Sequence, residues 1–374
     1  DKWNCGIIEP VYVNLFTLGI RMKKKYYLEA VRITAVLLVM YNHSAPFMSF
    51  ATQHGVQYAV SFFLSLVCKA AVPLFYMVSG ALLLGKNESF GELARKRILR
   101  IVAVIVIFSL LYYLKFAVRG QASVSPIRFL LGLPFDVAFL PYWYLYSYLG
   151  ILVSLPFLRP LAQNMPKNAF WYLIALQIVT ESLQITLGFF GYHTLCGYFS
   201  VAGVLQTTLF YPVIGFGLDR YLEKQSFFGW KNILRNLAFL AAVVITWRLV
   251  YRDWQTNGGT YREMYLGVWM PLITLVIFVD LKLLFQREDL PEGLKRFLSM
   301  GGGCVFGVYL LDGFIGAGGR MDVIYQKLMP YIGYLPAFLI EIQDDLHHFK
   351  LFIHGHGRIV LMEGVLLQKA KPYH

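Results

Sequence analysis

Apolar residues run along this chain in long blocks, and polar residues gather between them. Nine blocks are about 20 residues long, enough for a helix to cross a bilayer. They cover roughly 28–49, 57–84, 98–118, 137–158, 169–189, 198–218, 233–250, 265–285 and 297–316. Pro73 and Pro212 fall inside the second and sixth blocks, where a kink is tolerated within a bundle. A tenth block opens near Tyr334 with GYLPAFLI and gives way to Glu341, Asp344, Asp345, His347 and His348. It reads either as a short interfacial helix or as a last helix whose reading frame has changed. The pattern predicts an all-α fold: a polytopic membrane bundle of nine transmembrane helices with an incomplete tenth.

The same pattern divides the chain. Met22, followed by Lys23, Lys24 and Lys25 and then the first apolar block, reads as a natural start, so residues 1–21 are expected to be an N-terminal extension. Residues 22–340 form the membrane domain and 341–374 a polar tail. No secretory leader is evident in 1–21. No internal repeat is visible at a fixed period.

Composition agrees with the pattern. Of the 374 residues, 57% are hydrophobic and only 15% charged, and mean hydropathy is +0.56. A soluble domain carries about 25% charged residues. A net charge of +13 would point to nucleic acid in a soluble chain. Here the cations sit in short loops, which argues for membrane lipids as the partner and against nucleic acid. They also alternate. Lys23–Lys25, Lys86, Arg95–Arg97, Arg100, Arg159, Lys167, Arg220, Lys224, Lys282 and Arg287 fall on one side, and few cations fall on the other. Cations concentrate in cytoplasmic loops, so the expectation is a multi-pass cell-membrane protein with a cytoplasmic N-terminus. Cys5, Cys68, Cys196 and Cys304 are widely spaced and support neither a disulfide framework nor a zinc site.

The first block, YLEAVRITAVLLVMYNHS, carries Arg32 and His43. Ionisable groups at membrane depth are costly and mark function by default. Their eleven-residue offset is close to three helical turns, so both project from about one face, roughly 16 Å apart. Arg32 then lies near the cytoplasm and His43 beyond the midplane. Arg32 could instead snorkel to headgroups or pair with Glu29. A buried histidine bonded to a neighbouring helix is the plain alternative for His43. Lys69, Lys115, Glu181, Arg248, Asp280 and Asp312 are the other ionisable residues in or beside the blocks. Lys115, Arg248 and Asp280 lie near enough to helix ends to snorkel, which leaves Lys69 and Asp312 as site candidates. Ser79-Gly80 can serve either a substrate contact or small-residue packing. The aromatics of YWYLYSY at 142–148 suit a membrane interface better than a sugar site. The histidines of the tail, His347, His348, His354 and His356, show no metal-ligand spacing, so no metal is expected.

Taken in order, these segments resemble the acyltransferase family 3 membrane proteins. Arg32, ten residues and then His43 match that family's first helix. LFYMVSGAL at 74–82, with Ser79-Gly80, resembles its F-F-x-x-S-G-x-L stretch. Arg97 and Arg100 in RKRILRI match its R-x-x-R loop, Trp143-Tyr144-Leu145 its W-Y-L segment, and GVYLLD at 307–312 its G-I-Y-L-x-H/E segment. The resemblance covers about 22–340. Two departures stand out: Asp312 replaces His or Glu, and the polar tail replaces an apolar last helix.

The resemblance implies an acyltransferase that moves an acyl group, most plausibly acetyl, from cytoplasmic acyl-CoA to a hydroxyl of a cell-surface glycan or lipid-linked sugar. It implies catalytic roles for His43 and Asp312, and donor binding by Arg32, Arg97, Arg100 and Lys69. Ser79 and Trp143 are implied to contact the acceptor. His43 suits either a general base or an acyl carrier, and Asp312 could orient it. A transporter using His43 and Asp312 as a proton relay is the competing class. A structural or sensory partner without catalysis is a third.

Overall fold

The computed structural model describes residues 24–43, 55–118, 125–137, 140–189, 207–222, 225–256, 266–287 and 289–316. The N-terminal extension, the tenth apolar block and the polar tail lie outside the described residues. So do the side chains of Glu181 and Asp312.

Every described element is a helix or a helical turn. The first block forms α1 (Tyr26–His43). The second forms α2 (Gly55–Val67) and α3 (Ala71–Leu83), joined by a 3-10 turn at Cys68–Ala70. Pro73 supplies the cause of that turn, since it has no N–H to offer the carbonyl four residues back. After a loop come α4 (Phe90–Leu93), a π-helical turn at Ala94–Ile98 and α5 (Leu99–Val118). Then follow α6 (Pro126–Gly132), α7 (Trp143–Asn164), α8 (Lys167–Phe189), α9 (Thr207–Tyr221), α10 (Trp230–Thr256), α11 (Met270–Phe285) and α12 (Glu292–Gly316). Each of the nine apolar blocks contains a helix. By length and hydropathy, four described helical segments suffice to cross a membrane: 58–83, 90–118, 143–164 and 230–256.

The core lies between α1, α3, α9 and α11, with Val31, Leu74, Met77, Leu218 and Phe278 fully buried. Helices α3 and α9 make the closest pair. A Cβ on Gly80 would overlap the Pro212 backbone, and one on Gly215 would overlap that of Met77. Small residues let two helix backbones approach in this way, so Gly80 answers to packing. Helix α12 lies against α1 by the same device. Side chains on Gly301 and Gly302 would collide with Ile33 and Glu29.

Helices α5 and α10 are different. Leu99, Ile107, Leu111 and Leu114 on α5 and Ile233, Leu234, Leu237 and Val244 on α10 are all exposed. A water-facing surface does not carry apolar rows of that length. They are what a helix presents to lipid, where backbone groups are satisfied internally and side chains need no polarity.

Three positions differ from the sequence reading. Arg159 was expected in a loop, but α7 continues to Asn164 and buries it to 6% exposure. The helix outruns its apolar block because Arg159 and Gln163 find acceptors at the end of α3. Asp280 does not snorkel; it accepts hydrogen bonds from Asn232 (2.9 Å) and Asn236 (3.2 Å) of α10. The tyrosines of 142–148 do not form an interfacial belt. Tyr142 is fully buried and donates to the Leu310 carbonyl, and Tyr146 donates to that of Leu133.

Candidate active site

Arg32 is on the second turn of α1, one third exposed, with Nη1 3.2 Å from Glu29 Oε2. Glu29 is itself pinned, because α12 presents Gly302 to it. The Arg32 guanidinium therefore has one fixed neighbour and donors to spare, since it carries five N–H groups.

Arg97 arrives from the π-helical turn. A π turn inserts one extra residue into a helix and often marks a functional site. Here it separates two residues that an α-helix would keep on one face. Arg97 turns inward onto Glu88, with Nε 3.0 Å from Oε2 and Nη2 2.5 Å from Oε1, whereas Arg100 is exposed. Tyr148 of α7 lies within electrostatic reach of both Arg97 and Arg32. The two arginines, 65 positions apart in sequence, thus both act electrostatically on one tyrosine.

Glu88 holds a second cation. Arg159 donates from Nη2 to Glu88 Oε2 (2.7 Å) and from Nε to the Leu83 carbonyl (3.1 Å). The two guanidiniums hold the Glu88 carboxyl well below its ordinary value, at about 2, with the Arg97 hydrogen bond the largest cause. Ser89 fixes the loop that carries it. Its hydroxyl accepts from the Glu92 N–H while the Glu92 side chain accepts from the Ser89 N–H, a capping box. Sequence reasoning missed both Glu88 and Arg159. The capping signature S-x-x-E was present, but nothing in it announces a partner on α7.

Deeper along α1 the polar groups give way to rings. Tyr144 stacks on Tyr76 (centroids 5.5 Å) and Tyr148 (6.1 Å), and meets Tyr309 of α12 edge-on (5.6 Å). Ser79 of α3 donates its hydroxyl to the Phe75 carbonyl (2.8 Å). Tyr76 donates to Ser147 (2.7 Å). Tyr144, Tyr148, Ser79 and Arg32 nevertheless all keep partial exposure. Trp143, beside this cluster in sequence, points outward at 43% exposure.

The far end of α1 carries His43, which is exposed. Lys69 comes to this end rather than to the arginines, with Nζ 2.9 Å from Oδ1 of Asn42, the residue before His43. Helix α12 packs on α1 through Gly301 at Ile33 and Gly302 at Glu29.

The polar groups are graded along α1 and its neighbours. Paired cations stand at one end, hydroxyl-bearing rings in the middle, and an imidazole with an ammonium nearby at the other. Cations of this kind bind phosphate oxygens, and imidazole exchanges protons near neutral pH. Searches of the curated proteins and of the solved structures found no match. A family model described as an acyltransferase domain matches residues 25–340, a range that holds both ends of α1, the π turn and the tyrosine cluster; the chain belongs to acyltransferase family 3.

Proposed function

We propose that this membrane acyltransferase takes its acyl group, acetyl by preference, from acyl-CoA on the cytoplasmic side and passes it to a hydroxyl of a cell-surface glycan or lipid-linked sugar. The observation that supports the reading is that Arg32, near one end of α1, and Arg97 both lie within electrostatic reach of Tyr148, with His43 at the other end of α1. A donor rich in phosphate at one terminus and a thioester at the other needs that separation.

Arg32 and Arg97 bind donor phosphates, with Arg100 and Lys69 as further cations along the path. Ser79, the Tyr144 hydroxyl and Trp143 offer contacts to the substrate. His43 accepts the proton of the acceptor hydroxyl as its oxygen attacks the thioester carbonyl. The C–S bond then breaks, and the departing thiolate takes the proton from the imidazolium. Asp312 orients the ring. General-base help of this kind is worth about 10²–10⁴-fold.

The test is acyl-CoA turnover by the purified chain in lipid nanodiscs. His43→Ala is expected to lower kcat by about 10²-fold or more, and Arg32→Ala to raise the KM for donor. Full turnover in His43→Ala removes the catalytic assignment. Proton-coupled uptake of a solute without acyl-CoA consumption establishes the transporter class instead.

A further inference from the structure

Beside the Glu88 cluster, on the arginine end of the molecule, lies a groove of about 290 Å³ lined by Lys86, Glu88, Phe90, Arg159, Pro160 and Gln163 among others. We propose that this groove seats the nucleotide end of the donor, with Lys86 on a phosphate and the Phe90 ring against the adenine. The assignment rests on the donor being an acyl-CoA and adds where its far end is held.

Charge is the first argument. Lys86, Arg97 and Arg159 crowd one carboxylate, Glu88. Both guanidiniums are engaged by it, but Lys86 forms no ion pair among the described residues. Its ammonium is half-buried, and its pKa is lowered by that burial and by the Arg97 charge. A cation so placed gains from an incoming anion. The groove therefore calls for a negative group at Lys86.

Phe90 is the second argument. The ring is 66% exposed, although it sits at the start of α4 directly on the groove. An aromatic face next to an unpaired cation suits a ligand that carries a ring and a phosphate together. A nucleotide has both, and bases stack on such faces without needing a specific hydrogen-bond pattern.

Size and direction supply the rest. Ligand sites usually run to about 300–1,000 Å³, so this groove holds one end of a large donor and not the whole. Next to it comes Arg97, with Tyr148 and Arg32 within its electrostatic surroundings, and the tyrosine cluster stands beyond. The end left in the groove is the one furthest from the thioester.

The probe is adenosine 3′,5′-bisphosphate, the nucleotide portion alone, titrated onto the full-length chain in phosphatidylcholine nanodiscs. Wild type is expected to bind it. Lys86→Ala and Phe90→Ala should each weaken binding about tenfold and raise the donor KM in parallel, while Lys86→Arg and Phe90→Trp restore both. Melting temperature is read on every variant, and the conservative pair keeps the test valid if an alanine variant fails to fold. Turnover of acyl-CoA with no response to any of the four variants overturns the groove assignment and leaves the donor reading intact. Absence of both turnover and probe binding in wild type overturns the donor reading, and the groove assignment falls with it. Effects that appear only when phosphatidylglycerol is added make the groove a lipid-headgroup site and also overturn the proposal.

Discussion

Glu88→Gln is the most informative single change outside the reaction path. The substitution keeps the shape and one carbonyl oxygen but removes the charge that two guanidiniums share. Arg159 has a side chain only 8% exposed, and Glu88 is at 17%. Removing one partner of a buried ion pair costs about 3–5 kcal/mol, whereas an exposed pair contributes about 0–1 kcal/mol. This cluster lies between those limits, because Arg97 is 24% exposed and the groove admits water. A loss of about 2 kcal/mol is therefore expected at neutral pH. Most of it should vanish in an Arg159→Met background, because the stranded charge is then gone. The assay is a double-mutant cycle on denaturant or thermal unfolding in detergent. The pH dependence has a fixed sign. The folded-state pKa of Glu88 is depressed, from 4.5 to about 2. Its stabilisation is thus complete above about pH 4.5 and is lost as the pH falls toward 2. Equal stability of wild type and Glu88→Gln at pH 7 would refute the reasoning. So would a wild-type advantage that grows on acidification.

Two further predictions follow from packing. Alanine at Gly80 or Gly215 is expected to cost about 3 kcal/mol or more, because the new methyl group meets backbone that cannot yield; Gly91→Ala, with open space around it, should be neutral or gain up to about 1 kcal/mol of helix propensity, and comparing unfolding midpoints checks both. Lys282 is buried, and its Nζ bonds the Leu218 (2.7 Å) and Asp219 (3.2 Å) carbonyls at the end of α9. Lys282→Met leaves them without that donor and should destabilise by about 1–3 kcal/mol, read as a lower melting temperature.

What the sequence disclosed depended on range. The helix carrying Arg32 and His43 was legible because its periodicity, its apolar run and its two misfit residues lie within one continuous segment. The place of Pro73 inside an apolar block was legible for the same reason. The ion cluster was not, because Glu88 and Arg159 are 71 positions apart, and a loop glutamate next to a capping box looks like any solvated acid. Arg97 and Arg100 are three residues apart, a spacing that an α-helix keeps on one face. The π turn separates them, and nothing in ARKRI marks where a helix takes in an extra residue. The 142–148 tyrosines were misjudged because hydroxyl and ring suit a headgroup layer and a polar core equally. The partners that decide the matter, Leu133 and Leu310, come from other parts of the chain.

The Gly80 contact with Pro212 has a bearing on the serine beside it. Ser79 is located by two main chains in direct touch, not by a side chain free to readjust. Its hydroxyl inherits that stiffness. A change of residue on α9 that shifts its crossing by a fraction of an ångström would be felt at a polar atom more than 130 positions earlier, with no side chain carrying the message.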